Sequence, residues 1–245
     1  MAWARAEGTP TAEGASTLGQ TLLQTVVGWP FEFGQLLVRP RRRMTALVTQ
    51  PNLMTRSAMF FALAHIVAAW LFVQPDLVAS VPAFVLTGVP EGAFILVLVM
   101  VPLHLAARLI RAPSHAPTTM MMLAYIQSVA MVLVAAGIEL IWAGLELVDP
   151  EFGPHARAVL DANLPLDARV TKLGEVVEAA VGGPLLAALA IAIVIWLFTA
   201  GWLVVASQAF RDVWRISRLR FAAILILVAL VLSVAGALVL FAGTL

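Results

Sequence analysis

The sequence predicts an all-α integral membrane protein: a bundle of five transmembrane helices, N-terminus inside and C-terminus outside, with a cytoplasmic amphipathic N-terminal segment. Three observations predict it. Hydrophobic residues make up 62% of the chain and charged residues 12%, with a mean hydropathy of +0.97; a soluble domain carries about a quarter charged residues. Five apolar stretches have the roughly 20 residues that a helix needs to cross about 30 Å of hydrocarbon. Basic and non-basic connections alternate between them, as the positive-inside rule requires.

The first span, about 54–73, reads "MTRSAMFFALAHIVAAWLFV". The second, about 92–110, follows the turn-prone "LTGVPEG" and carries Pro102, an expected kink. The third runs from about 119 to 148, longer than a crossing needs, and the fourth covers about 184–208 after "GGP". The fifth covers about 221–243. Residues 1–50 thus form a polar N-terminal segment and 51–245 the membrane domain, with an external connection at 149–183.

Orientation follows from the arginines. Arg39, Arg41, Arg42, Arg43 and Arg56 precede or open the first span, whereas 74–91 holds Asp76 and Glu91 and no basic residue. Arg108 and Arg111 flank the next connection, and the long one at 149–180 has six acids against three bases. Arg211, Arg215, Arg218 and Arg220 crowd the last. The first thirty residues lack the charged start, apolar core and cleavage site of a signal peptide, so the N-terminus is expected to be retained. Lys172 is the sole lysine among 15 basic residues, which suggests a GC-rich bacterial genome and hence the bacterial inner membrane. The chain has no Cys, which excludes disulfides and thiolate metal sites.

Within the N-terminal segment, Leu18, Leu22, Val26 and Trp29 share one helical face that ends at Pro30, as in a helix lying on the inner membrane surface. Beside it, Arg39, Arg41, Arg42 and Arg43 can meet anionic headgroups, each contributing on the order of 1 kcal/mol. The plainer reading of these arginines is a topology signal alone. On the outer side, Asp167 is expected to cap a helix at 168–181 whose face is Val170, Leu173, Val177 and Val181, either a lid over the bundle or a loop.

Polar residues inside spans are the candidates for chemistry. His65 and His104 are intramembrane, whereas His115 and His155 fall in connections on opposite sides. No pair has metal-ligand spacing, so His65 reads as a polar packing residue and no metal or cofactor is expected. In "GIELIWAGLEL", Glu139 and Glu146 lie seven residues apart on one face. Counted from Thr119, Glu139 sits about 30 Å along the helix, at the far edge of the hydrocarbon. His65, His104 and Glu139 would line a polar path if one existed. Ala58 and Ala62 in the first span, and Ala229, Ser233 and Ala237 in the last, recur at the four-residue spacing of close helix contacts, within the chain or with a partner's helix. Trp70, Trp142 and Trp202 fit interfacial anchors. Motifs of hydrolases, nucleotide-binding proteins and inverted-repeat transporters are missing from the sequence.

Three stretches carry a resemblance. "FGQLLVRPRRRMTALVTQPNLMTRSAMFFALAHIV" is an amphipathic, Pro-containing lead followed by the first span; "RLIRAPSHAPTTMMMLAYIQSVAMVL" is a short inner connection and third span, with Tyr125 at a common Tyr position; "SQAFRDVWRISRLRFAAILIL" is a basic connection and final span. Over about residues 30–245 this pattern resembles the Yip family (Ypt/Rab-interacting membrane proteins), in its bacterial Yip-domain branch. The resemblance implies a non-enzymatic protein with no catalytic residues. The Rab-linked role of eukaryotic relatives is not carried over, because bacteria lack that machinery.

The function expected is that of a non-catalytic inner-membrane protein, an accessory, scaffold or assembly subunit acting on membrane lipids and other integral membrane proteins, not on nucleic acid. The alternatives are a small transporter or channel, and a cofactor-bearing electron carrier.

Overall fold

The computed structural model describes residues 12–50, 52–72, 81–162 and 164–242, and among them all regular structure is α-helical. The helices are α1 (Ala12–Val38), α2 (Pro40–Leu47), α3 (Leu53–Phe72), α4 (Val81–Leu109), α5 (Ala116–Val148), α6 (Phe152–Asp161), α7 (Leu166–Ala179), α8 (Gly183–Val213) and α9 (Arg218–Ala242). Four of them are long and apolar enough to cross a membrane, through Leu53–Leu71, Gly88–Leu109, Ala116–Val148 and Gly183–Val213. The chain is a multi-pass membrane protein. The fifth expected span falls within α9, whose side chains are described as far as Val234.

α5 is the central helix, packed along α8 on one side and α3 on the other. Gly137 of α5 lies under the Trp196 indole, and Gly144 meets Leu185 and Ala188, so α5 and α8 run antiparallel. α3 runs parallel to α5, with the Phe60 and Tyr125 rings 4.9 Å apart. α4 crosses both at Gly92, where a Cβ would overlap the His65 imidazole; only glycine fits. α9 packs against α4. α3 and α5 therefore begin, and α4 and α8 finish, at one end of the bundle, which also carries the arginines. α4 and α8 stop there by the same device. Arg111 (φ 56°) and Arg215 (φ 50°) adopt the left-handed conformation, and Ala112 and Ile216 donate back to the carbonyls of Ala107 and Arg211. This is the Schellman helix ending, built twice without the usual glycine.

At the opposite end α6 and α7 close over the tops of α5 and α8. Phe152, Ala156 and Ala180 are buried there with Leu145 and Leu185, backed by Trp142, Leu173 and Val176.

Several expectations need correction. α1 does not end at Pro30 but continues to Val38. Proline removes one backbone bond, at about 3 kcal/mol in a helix interior, yet beyond it Glu32 and Leu36 are buried and Phe33 stacks on Trp29, which holds the helix together. The side chains of Leu18 and Leu22 lie outside the described residues. The arginine stretch is itself a helix, α2, started by Pro40 in its first turn, where a missing N–H costs nothing. "LTGVPEG" is not a turn: α4 begins at Val81 and passes through Pro90 and Pro102. Asp167 does not cap α7; Pro165 takes that position and Asp167 sits in the first turn, where its charge suits the helix dipole. The residues packed from α7 are Leu173, Val176 and Ala180, while Val170, Val177 and Val181 are exposed. α6 was not expected at all.

The small-residue spacing does not mark the intramolecular faces. Ala58, Ala229 and Ser233 are exposed and Ala62 is half-buried, while the side chain of Ala237 lies outside the described residues. α3 packs through Phe60, Ala64 and Ala68, and α9 through Phe221, Ile224 and Val228. Trp202 is no interfacial anchor either. It is buried, and its indole donates to the Leu36 carbonyl at 3.0 Å, tying α8 to α1.

The α5–α8 contact sets a test. A methyl group at Gly144 would stand 2.6 Å from the Ala188 Cβ and 3.2 Å from the Leu185 backbone. Gly144→Ala is expected to destabilise by about 1–2 kcal/mol, the overpacking cost less the gain in helix propensity. Gly174→Ala in α7, where nothing lies within 4 Å, is expected to be neutral or stabilising. Thermal unfolding of the detergent-solubilised variants separates the two.

Candidate functional site

Charge gathers where α1 and α2 fold back across the Arg-rich ends of α3, α5 and α8. Glu32, from the middle of α1, is 8% exposed. A carboxylate this far from water needs a partner, and α2 supplies it: Arg43 donates Nε and Nη2 to the two Glu32 oxygens at 3.1 and 2.6 Å. These hydrogen bonds push the Arg43 pKa up against the opposing effect of burial. Arg56, in the first turn of α3, adds its charge at 3.9 Å from Glu32 and donates to the Gln50 side chain at 2.5 Å.

Glu32, Arg43 and Arg56 line a cavity of about 220 Å³ together with Gln24, Thr25, Trp29 and Tyr125. Trp29 stacks at 5.0 Å on Phe33, lies 5.5 Å from Phe60 and donates its indole N–H to the Phe60 carbonyl at 3.3 Å. It is thus half-buried in the wall between α1 and α3. Tyr125 is 3% exposed, and among the described residues its hydroxyl has no hydrogen-bond partner.

A second ionic tie lies on the other flank of α2. Arg41 grips Asp212 of α8 with Nε and Nη2 at 2.5 and 2.9 Å, and Arg211 contacts the same carboxylate at 3.3 Å. The hydrogen bonds to Asp212 push the Arg41 pKa up. Arg39 and Arg42 line the adjoining groove of about 400 Å³ with Val38 and Val205; both are exposed and form no ion pair among the described residues. Of the four arginines, Arg43 ties α2 to α1, Arg41 ties it to α8, and two face outward.

His65, His104 and Glu139 are not brought together. The His65 Nδ1 lies 2.8 Å from the Phe61 carbonyl. A carbonyl only accepts, so Nδ1 holds the proton and Nε2 faces Gly92. Gln127 donates to the Gly92 carbonyl at 2.9 Å, completing a small polar layer across α3, α4 and α5. His104 is twelve residues further along α4, about 18 Å toward the Arg-rich end, with Ser114 at 3.2 Å. Glu139 is twelve residues beyond Gln127 on α5, about 18 Å the other way, half-buried and without a hydrogen-bond or ion-pair partner among the described residues. Trp142 donates to Glu146 at 3.0 Å. Among the described residues no cluster of His, Asp or Glu forms that could hold a metal.

Reasoning from sequence missed Glu32, Asp212 and Gln127. Glu32 sits in "WPFEFGQ", an acid among aromatics; beside a run of arginines, that context is the signal that could have found it.

The buried pair gives a direct prediction. Arg43→Gln leaves the Glu32 charge stranded and is expected to cost about 2–3 kcal/mol, below the 3–5 of a fully buried pair because Arg43 is 22% exposed. Adding Glu32→Gln should restore most of the loss, as read by denaturant unfolding in mixed micelles.

Searched against known proteins, the chain matches no family model, no curated protein and no solved structure, which leaves the geometry to carry a functional reading.

Proposed function

We propose that this multi-pass membrane protein performs no catalysis and acts by contact, binding membrane lipids and other integral membrane proteins as an accessory, scaffold or assembly subunit. The observation that carries the reading is the α1–α2 arm. Glu32–Arg43 holds its two helices together, and Arg41–Asp212 and the Trp202 bond to the Leu36 carbonyl fasten it to the bundle, yet it presents Arg39 and Arg42, without an ion pair among the described residues, beside exposed Val26, Val27, Phe31 and Val38. Cationic and apolar groups side by side suit the boundary between headgroups and acyl chains. The exposed small faces at Ala58 and at Ala229 and Ser233 suit close approach by a partner's helix.

The same reading takes α3, α4, α5, α8 and α9 as five crossings of Yip-like order in a bacterial inner membrane, with the Arg-rich end cytoplasmic. Because the chain has no Cys, this topology is open to labelling. Thr49→Cys should react with an impermeant maleimide only after cells are opened, and Gly174→Cys in intact spheroplasts; the reverse pattern inverts the topology.

Purification in mild detergent with native mass measurement tests the function. A complex with a protein partner or retained lipid is expected, and a bare monomer would count against it. A small transporter or channel is the second reading, drawn from the His65–Gly92–Gln127 layer and from Glu139, which has no hydrogen-bond or ion-pair partner among the described residues. Water-accessible Cys positions continuing to mid-depth of α5 would favour transport, and labelling confined to the ends of α5 would dismiss it.

A further inference from the structure

We propose that the cavity between α1, α2, α3 and α5 binds one singly charged phosphate group, held by Arg43, Arg56 and the Tyr125 hydroxyl. The proposal rests on the lipid-contact reading and names what that contact recognises.

Charge comes first. The cavity contains two guanidinium groups and one carboxylate, Glu32, and so carries one uncompensated positive charge. Glu32 is occupied by Arg43, which uses Nε and Nη2 and keeps Nη1 free. Arg56 spends one arm on Gln50, and its other terminal nitrogen stands 3.9 Å from Glu32, too far for a hydrogen bond. The Tyr125 hydroxyl has no hydrogen-bond partner among the described residues and its ring lines the cavity, which leaves it a donor for a ligand oxygen.

Geometry selects the ligand. The three donors reach the cavity from three different helices, α2, α3 and α5, and a phosphate, with more oxygens than a carboxylate and pointing in more directions, can offer each donor its own acceptor. Trp29, Phe60 and Tyr125 supply a largely apolar wall, in which a charge-assisted bond keeps more of its strength than in water. A volume of about 220 Å³ lies below the roughly 300–1,000 Å³ of pockets for drug-sized ligands. It suits a phosphate and its immediate ester. Phe31, 69% exposed at the rim, is placed to meet apolar chains attached to that ester. The phosphate can belong to a phospholipid headgroup or be free in solution; the chemistry is shared.

Thermal unfolding of the full-length protein in an uncharged detergent tests the site. Titrants are dioctanoyl phosphatidylglycerol, dioctanoylglycerol, which lacks the phosphate, and inorganic phosphate, with chloride holding ionic strength constant. A saturable rise in Tm with the phospholipid and not with the diacylglycerol is expected. Tyr125→Phe, which keeps the ring and its packing, and Arg56→Gln should each weaken binding about tenfold while retaining wild-type helix content. Equal potency of inorganic phosphate and phospholipid would assign the site to the soluble anion; a response to phospholipid alone would assign it to the lipid. The proposal is overturned if diacylglycerol matches the phospholipid, if no titrant gives a saturable shift, or if Tyr125→Phe binds like the wild type. A protein that still co-purifies partners while showing no phosphate response loses this site and keeps the contact function.

Discussion

Two notches on α5 set the architecture. At Gly137 and Gly144 the absence of a side chain lets α8 approach until the Trp196 indole and Ala188 lie against the α5 backbone. In lipid no hydrophobic drive pushes helices together, because hydrocarbon solvates them as well as they solvate one another. Close packing at such notches is what remains, and the rest is arranged around the pair it makes. α3 lies along α5, α4 crosses at its own glycine over His65, and α6 and α7 cover the tops. At the other end α2 packs against α8, and Trp202 reaches α1.

Polar groups follow a different logic. Several of those drawn into the bundle are tied to a neighbour: Gln127 to the Gly92 carbonyl, His65 and Ser128 to carbonyls within their own helices, Glu32 to Arg43, whereas the buried Trp214 indole N–H has no partner among the described residues. The ties between elements concentrate at the Arg-rich end. Charge pairing there is aided by partial burial, and the indoles of Trp29 and Trp202 bond to backbone of other helices. The arm formed by α1 and α2 is therefore a structural part of the bundle as well as its most charged surface.

Much of the helical content was legible in the sequence because a run of apolar residues bounded by arginines or glycine sets a helix's extent almost unaided. The expected starts of α3 and α8 fall within one residue of those observed. Which face of each helix packs was not legible. A helix that is apolar all round has no amphipathic stripe to read, so Ala58 and Ala229 carried the spacing of a contact while Ala64 and Ile224 made one. The candidate site was half visible. Its arginines stood out, but their division into two that pair with carboxylates and two that face outward depends on Glu32 and Asp212, which meet them only once α1 and α8 are in place. α6 and the cap of α7 were missed because short polar helices hold their shape by docking on Leu145 and Leu185, not by their own composition.

The stretch from Gly137 to Glu146 interleaves two seven-residue repeats, glycines at 137 and 144 and carboxylates at 139 and 146. Two positions on a helix amount to about 200° of rotation, so with the glycines against α8 the acids point to the far flank. The offset makes α5 intolerant of changes in length. Loss of two residues ahead of Gly137 would rotate carboxylates into the notches that Trp196 and Ala188 now fill, whereas the same loss in the link after α5 would leave the register alone. Drift in this protein should therefore proceed freely by substitution on the outer flank of α5 and by insertion in its loops, while the spacing inside this helix stays fixed.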